Sequence, residues 1–469
     1  MADTLIQNAD LVLTMDDMRR AVPSGDVLMR DGRIVAVGPD LPATGCTVVN
    51  AAGCLVTPGL VNTHHHLYQT MTRAVPAGQD AALFGWLQAL YPIWSAMHPD
   101  DFFVSAQVGM AELLLSGCTT TSDHLYLYPN GARLEDTIHA AQEIGMRFHP
   151  TRGAMSIGES AGGLPPDGLV EREADILEDM IRVIDGFHDP RPGSMCRVGV
   201  APCSPFSVSR ELMRDAALLA RDKGVMMHTH LAENDEDIAY SLEKFGMRPG
   251  QYAEDLGWTG PDVWHAHCVK LDDEGISLFA ATRTGIAHCP CSNMRLASGI
   301  APIRKMIEAG VPVGLGVDGS ASNDAAHMLN EARQAMLLAR LRKSLETPQV
   351  TADGRTVFGC DTAPMEMTAR DALRLATRGG AEVLGRKDIG QLSVGYCADM
   401  ALFDLRSLSF AGGAVHDAIG SLMLCASAPA SYTIVNGRVV VSEGQLATLD
   451  LGRVIERHNQ FAKQLALGH

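Results

Sequence analysis

Histidines occur in closely spaced groups along this chain, and each group ends an apolar run. The first lies in Pro58-Gly59-Leu60-Val61-Asn62-Thr63-His64-His65-His66. In extended backbone alternate side chains share a face, so His64 and His66 point one way and His65 the other. Two imidazoles at one strand end can grip a divalent ion, although a solvated polar strand end reads the same way. The second group, His228-Thr229-His230-Leu231-Ala232-Glu233, adds a third imidazole, His230, and a carboxylate three residues on. Glu233 can move a proton to or from water or substrate without being a ligand. Its competing role is to cap a helix that begins near Asn234. The third group is His265-Ala266-His267-Cys268, where His267 can stabilise charge that develops during attack or can be a hydrogen-bonded strand histidine. Finally, Val317-Asp318-Gly319-Ser320 places a carboxylate where it can bind metal and accept a proton from water, or can simply begin a loop. Each signal alone is ambiguous. Four in order, each closing a strand, describe a hydrolytic metal site.

Elements that must position these residues are visible around them. Residues 59–380 alternate short apolar strands, such as Arg197–Ala201, Val225–His230, Thr284–His288 and Val313–Asp318, with segments of helical spacing such as Arg210–Asp222 and Pro302–Ala309. That alternation implies a parallel sheet, doubly wound or closed. No G-x-G-x-x-G follows the first of these strands, which weakens a nucleotide-binding version. Polar residues recur at the C-terminal ends of strands, and this favours an α/β fold of the (β/α)8 TIM-barrel type. The two ends have a different texture. Residues 5–9, 11–14, 27–29 and 33–37 read as short strands, with a hairpin at Asp31-Gly32. The runs 398–403 and 432–441 read alike, with a hairpin at Asn436-Gly437. One small β domain assembled from 1–58 and 381–469, the latter including a C-terminal helix, is the expected arrangement.

The composition narrows the partners. The chain has 469 residues, 46% hydrophobic and 20% charged, with a formal net charge of −17. That charge opposes a nucleic-acid backbone, so the expected partner is a small molecule. Eleven scattered cysteines with no paired framework predict reduced thiols and a cytoplasmic setting. The first residues carry Asp3 and Asp10 and no basic stretch before an apolar run, so no signal peptide is expected. No uncharged apolar run approaches the ~20 residues needed to cross a bilayer. Exposed barrel helices commonly pair, which makes a homo-oligomer the expectation.

Taken together, the ordered set Pro-Gly-x-x-Asn-x-His-x-His, His-x-x-Glu, His-x-His-Cys and Asp-Gly resembles the aminohydrolase branch of the amidohydrolase superfamily, which holds guanine, cytosine and adenosine-type deaminases and s-triazine hydrolases. The likeness extends through His288-Cys289-Pro290-Cys291-Ser292-Asn293 and the tail from Ala376 to Asp399. It implies a barrel with a β-sandwich made from both ends and one divalent metal ion, usually Zn2+. Carried onto this chain, the resemblance makes His64, His66, His230 and Asp318 metal ligands, Glu233 the proton shuttle and His267 the polarising group. Binuclear relatives bridge two metals with a lysine from the fourth barrel strand. Taking Arg147–Gly153 as that strand, no lysine is present, and a single ion is expected.

The implied reaction is deamination of an amino-substituted nitrogen heterocycle. Gln69 and Arg73 follow the first metal pair, and Gln69 can read a lactam edge with its paired donor and acceptor. Tyr91 and Trp94, in a loop-like stretch around Pro92, can cover a flat ring or pack in the core. Cys203, Ser204 and Ser207 follow another strand and can line the pocket. The blocks Tyr68-Gln69-Thr70, 151–156, 163–166 and 201–207 resemble the deaminases of 8-oxoguanine, which form urate and ammonia, with isoxanthopterin and hydroxylated aminotriazine aminohydrolases as near cousins. Two rivals stand beside this reading: a chloro- or amide-hydrolase using the same water, and an inactive barrel kept as a binding protein.

Overall fold

The computed structural model describes residues 3–425 and 427–467. Eight parallel strands close into a barrel in the chain order Leu60–Asn62, Cys118–Leu125, Arg147–Ala154, Gly199–Pro202, Met227–Leu231, Val263–His267, Gly285–His288 and Val313–Leu315. The last strand pairs back to the first through Leu315 and Asn62. Most of these strands are buried on both faces, as parallel strands between a packed interior and a ring of helices must be. Helices whose apolar residues fall on one side cover the outside; Glu173–Phe187 and Arg210–Lys223 are examples.

Strands from both ends join one nine-stranded sheet beside the barrel. Its centre is Cys54–Pro58, which pairs with Thr4–Leu13 on one side and Met400–Asp404 on the other. Ile6, Val12, Val27, Val56, Leu402 and Ile434 form its own small core. Both expected hairpins are present, with Asp31, Gly32, Asn436 and Gly437 all left-handed, the backbone that a two-residue turn of this kind requires. The expected strands 5–9 and 11–14 are one continuous strand with an irregularity at Asn8, whose φ is 65°.

One residue, Gly59, separates the sheet from the first barrel strand. A β-carbon there would lie 2.0 Å from Thr119 Oγ1, so only glycine allows the two units to meet this closely. The seam also holds a buried ion pair. Arg147 reaches both Asp399 oxygens, at 2.8 and 3.0 Å, and donates to the Gly193 and Ser194 carbonyls, while the Asn436 amide caps Asp399.

Two sequence expectations need correction. Arg147–Ala154 is the third barrel strand, and the fourth is Gly199–Pro202. The strand overlooked is Cys118–Leu125, whose Thr119-Thr120-Thr121-Ser122 run lacks the aliphatic texture of a buried strand. Neither the true fourth strand nor the third contains lysine. The stretch around Tyr91 and Trp94 is the helix Leu83–Ser95, which runs through Pro92 because Trp86, Leu87, Leu90, Tyr91 and Trp94 bury one common face. No helix among the described residues is long and apolar enough to cross a membrane.

Candidate active site at the barrel mouth

The four sequence groups do converge, at the C-terminal ends of the first, fifth, sixth and eighth strands. The protons on the imidazoles can be placed from their partners. His228 Nδ1 lies 2.8 Å from the Trp264 carbonyl, so it carries hydrogen and leaves Nε2 as an acceptor. His64 Nδ1, 2.7 Å from that Nε2, must then be the donor, which leaves the His64 Nε2 lone pair free. His66 Nδ1 donates to the His124 carbonyl and His230 Nδ1 to the Cys203 carbonyl, both at 2.7 Å. Burial holds all four rings below the ordinary histidine pKa, His230 at about 3, so they are neutral.

Three Nε2 lone pairs therefore face one another. His66 and His230 oppose theirs at 3.1 Å, and Asp318 Oδ1 stands 3.3 Å from His64 Nε2 and 3.4 Å from His66 Nε2. No proton sits between these atoms, and His64 Nε2 has no hydrogen-bond partner at all. Lone pairs and a carboxylate gathered in a buried spot repel unless a cation lies among them. Three imidazole nitrogens and one carboxylate oxygen are a donor set suited to a divalent ion such as zinc. The residues fit a metal.

Two acid–base groups flank this set. Burial raises the Glu233 pKa to about 7, with the nearby charge of His267 pulling the other way. Glu233 Oε2 is 3.6 Å from His267 Nε2, and Ser298 Oγ lies 3.4 Å from its other oxygen. Burial works against the imidazolium of His267, but Glu233 and Asp318 outweigh it and hold its pKa above the ordinary value. Its Nδ1 donates to Asn293 Oδ1 at 2.9 Å. For Asp318, burial opposes ionisation, yet the nearby charge of His267 favours it, and the carboxyl is held well below the usual range. Glu233 does not cap the following helix; Asn234 does, accepting from the Asp237 amide. Ala232, His267, Cys268 and Asp318 all have left-handed backbones, a concentration of strain at the strand ends that converge on this cluster.

A cavity opens beside this cluster, lined by His66, His230, Glu233, His267 and Asp318 together with Gln69, Cys203 and Ser204. Gln69 Oε1 is buried and unpartnered, and a β-carbon on Gly319 would lie 1.8 Å from it. The glycine after Asp318 thus makes room for the glutamine. Trp94 is not at the cavity. It is fully buried, donates its indole N–H to Thr72 Oγ1 at 3.1 Å and packs edge-on against Trp86, Tyr91 and Tyr68. The helical register that replaces the expected loop turns Trp86 and Tyr91 toward the cavity and Trp94 behind them. Arg73 pairs with Glu112, and His265 donates to the Trp258 carbonyl against Phe279, away from the cluster.

Sequence reasoning missed several contributors. His124 ends the overlooked second strand, stacks on His230 with ring centroids 4.8 Å apart, and has a buried, unpartnered Nδ1. Its neighbour Asp123 accepts from the Leu67 amide at 2.8 Å and so anchors the turn that carries Gln69. His228 and Asn293 fix the tautomers of His64 and His267. Only the Asp123-His124 pair at a strand end could have been found by the strand-end rule used for the other four groups.

Comparison with known proteins places these features in context. The amidohydrolase family model matches residues 55–440. The chain is 43% identical to the 8-oxoguanine deaminase of Pseudomonas aeruginosa over the full length of both. It is 37% identical to the hydroxydechloroatrazine ethylaminohydrolase of Pseudomonas sp. strain ADP, covering 96% of this chain and 93% of that one. Among solved structures, the zinc complex of the atrazine chlorohydrolase from Arthrobacter aurescens TC1 superposes with a TM-score of 0.90 at 33% identity, covering 98% of this chain and all of the other.

Proposed function

The chain belongs to the amidohydrolase family and is a hydrolytic deaminase, and on that premise we propose that it converts 8-oxoguanine to urate and ammonia. The observation that carries the catalytic reading is the cluster of proton-free lone pairs of His64, His66 and His230 around Asp318 Oδ1. These four would hold one zinc ion, which when bound makes water acidic and stabilises negative charge on oxygen. The substrate reading is supported by the 43% identity to a deaminase of that base.

Roles for the chain's own groups follow from their positions. Asp318 turns Oδ1 to the histidines, and its Oδ2, which accepts from Ser322 Oγ at 3.3 Å and lies 3.8 Å from His267 Nε2, takes a proton from the attacking water. Glu233, protonated near neutrality, donates to the ring nitrogen beside the amino-bearing carbon and makes that carbon more electrophilic. His267 carries an N–H toward the same space and steadies the developing oxyanion. Water adds to the carbon, the C–N bond breaks, and ammonia leaves after gaining a proton. Gln69 offers its free Oε1 to a lactam N–H of the flat ring, with Cys203 and Ser204 on the pocket wall.

The test is ammonia release from zinc-loaded protein given 8-oxoguanine, guanine, isoxanthopterin and 2-hydroxy-4,6-diaminotriazine side by side. Turnover of 8-oxoguanine well above the rest is expected. Faster turnover of isoxanthopterin or the triazine moves the substrate and keeps the mechanism. The resemblance to a chlorohydrolase gives a second reading, and chloride release from chlorotriazines with no ammonia from any base would establish it. Inertness toward every compound, with metal bound, would leave a binding protein. A cytoplasmic location belongs to the same proposal, supported by eleven free thiols, as does a homo-oligomeric state, which sedimentation velocity tests.

A further inference from the structure

A second cleft, of about 230 Å³, lies far from the chemistry, between the loop after the first sheet strand and the helical segment 370–378. Its walls carry Arg19, Arg20, Arg370, Arg374 and Arg378 against three carboxylates, in a protein whose formal net charge is −17. Those carboxylates are already engaged. Asp16 pairs with Arg20 and Asp17 with Arg378, both at 2.6 Å, while Asp371 accepts from the amide and hydroxyl of Thr368. Among the described residues, the guanidinium groups of Arg19, Arg370 and Arg374 have no ion-pair or hydrogen-bond partner. Partial burial, with smaller contributions from the neighbouring Arg378 and Arg19, lowers the Arg374 pKa.

Past Arg374 and Arg378 the cleft continues into a groove lined by Pro261, Arg283 and Pro312, residues just before the sixth, seventh and eighth barrel strands. The cleft is therefore at the N-terminal end of the barrel, opposite the catalytic mouth. The loop that supplies Arg19 is held in place, with Met15 and Arg19 both left-handed and the Met15 carbonyl accepting from Arg378. Planar guanidinium forks match the oxygens of a phosphate group in pairs. We infer that this cleft binds a phosphate group, free or carried on a small molecule, through Arg19, Arg370 and Arg374.

Calorimetric titration of the metal-loaded full chain with inorganic phosphate, pyrophosphate and guanosine 5′-monophosphate, each against sodium chloride of equal ionic strength, tests this. Saturable binding of at least one ligand with Kd below about 1 mM is expected. The double variant Arg370→Gln, Arg374→Gln should bind it at least about tenfold more weakly, with ammonia release unchanged. Binding of phosphate and pyrophosphate identifies a free anion as the ligand; binding of the nucleotide alone identifies a phosphate ester. No saturable binding beyond the chloride control, or equal affinity in the variant, overturns the inference.

Discussion

The barrel mouth and the seam between barrel and sheet each bury charge, and they differ in how that charge is matched. At the seam, Arg147 donates two hydrogen bonds to Asp399, and the pair finds carbonyls and an amide for the remaining positions. At the mouth, three imidazole lone pairs and a carboxylate converge with no proton to share, and Gln69 Oε1 and His124 Nδ1 lack partners. A closed polar network is a fastening, because every atom is satisfied by the fold itself. An open one costs stability and persists where something from outside completes it.

The contrast is sharpest at Asp318, where Asp318→Asn removes the charge that closes the ligand set. Turnover should fall by about 10⁴-fold and metal content should drop, while unfolding by denaturant changes little. Full activity with full metal would erase the distinction between the two regions. At the seam the signs reverse. Arg147→Met strands a buried carboxylate and should cost about 3–5 kcal/mol in denaturant unfolding, while metal content per folded molecule stays normal; adding Asp399→Leu should recover much of the loss.

The next effect in size returns to the mouth. Glu233→Gln should leave a folded, metal-loaded protein with turnover reduced by about 10²-fold. Because burial raises Glu233 to about 7, the protonated donor prevails below that pH and is lost above it. The rate kcat/KM should therefore decline as pH rises through about 7, and Glu233→Gln should abolish that limb of the profile. A descending limb that survives in the variant would assign it to another group. The smallest effect belongs to His458, 8% exposed on the helix Leu451–Leu467, whose Nε2 bonds Thr70 Oγ1 at 3.0 Å. His458→Ala should cost about 1 kcal/mol of stability and raise KM a few-fold, leaving kcat unchanged.

Legibility in the sequence divides along the same line. His64, His66, His230, Glu233, His267 and Asp318 are readable because each follows an apolar strand, and a strand end has a fixed direction in a barrel. The hairpins at Asp31-Gly32 and Asn436-Gly437 are readable because few residue pairs tolerate that backbone. Hydroxyl-rich Cys118–Leu125 hides because its Thr and Ser side chains break the aliphatic run expected of a buried strand; Thr121 Oγ1 donates to the Ser122 carbonyl, while the hydroxyls of Thr119, Thr120 and Ser122 have no partner. Missing it shifts the strand count and conceals His124. Trp94 misleads because Pro92 signals a break that packing overrides. Partners such as Asn293 for His267 are matters of three-dimensional placement, with no local pattern to announce them.

The hydrogen bond between Thr70 and His458 joins positions 388 residues apart. Thr70 belongs to the same turn as Gln69, so the pocket wall nearest His64 and His66 is braced by a segment made long after it. Synthesis delivers His64 and His66 well before the brace, and the pocket is finished only once both segments have formed. A polypeptide halted before residue 450 would carry every group that does the chemistry and still lack the strut that steadies the substrate's edge.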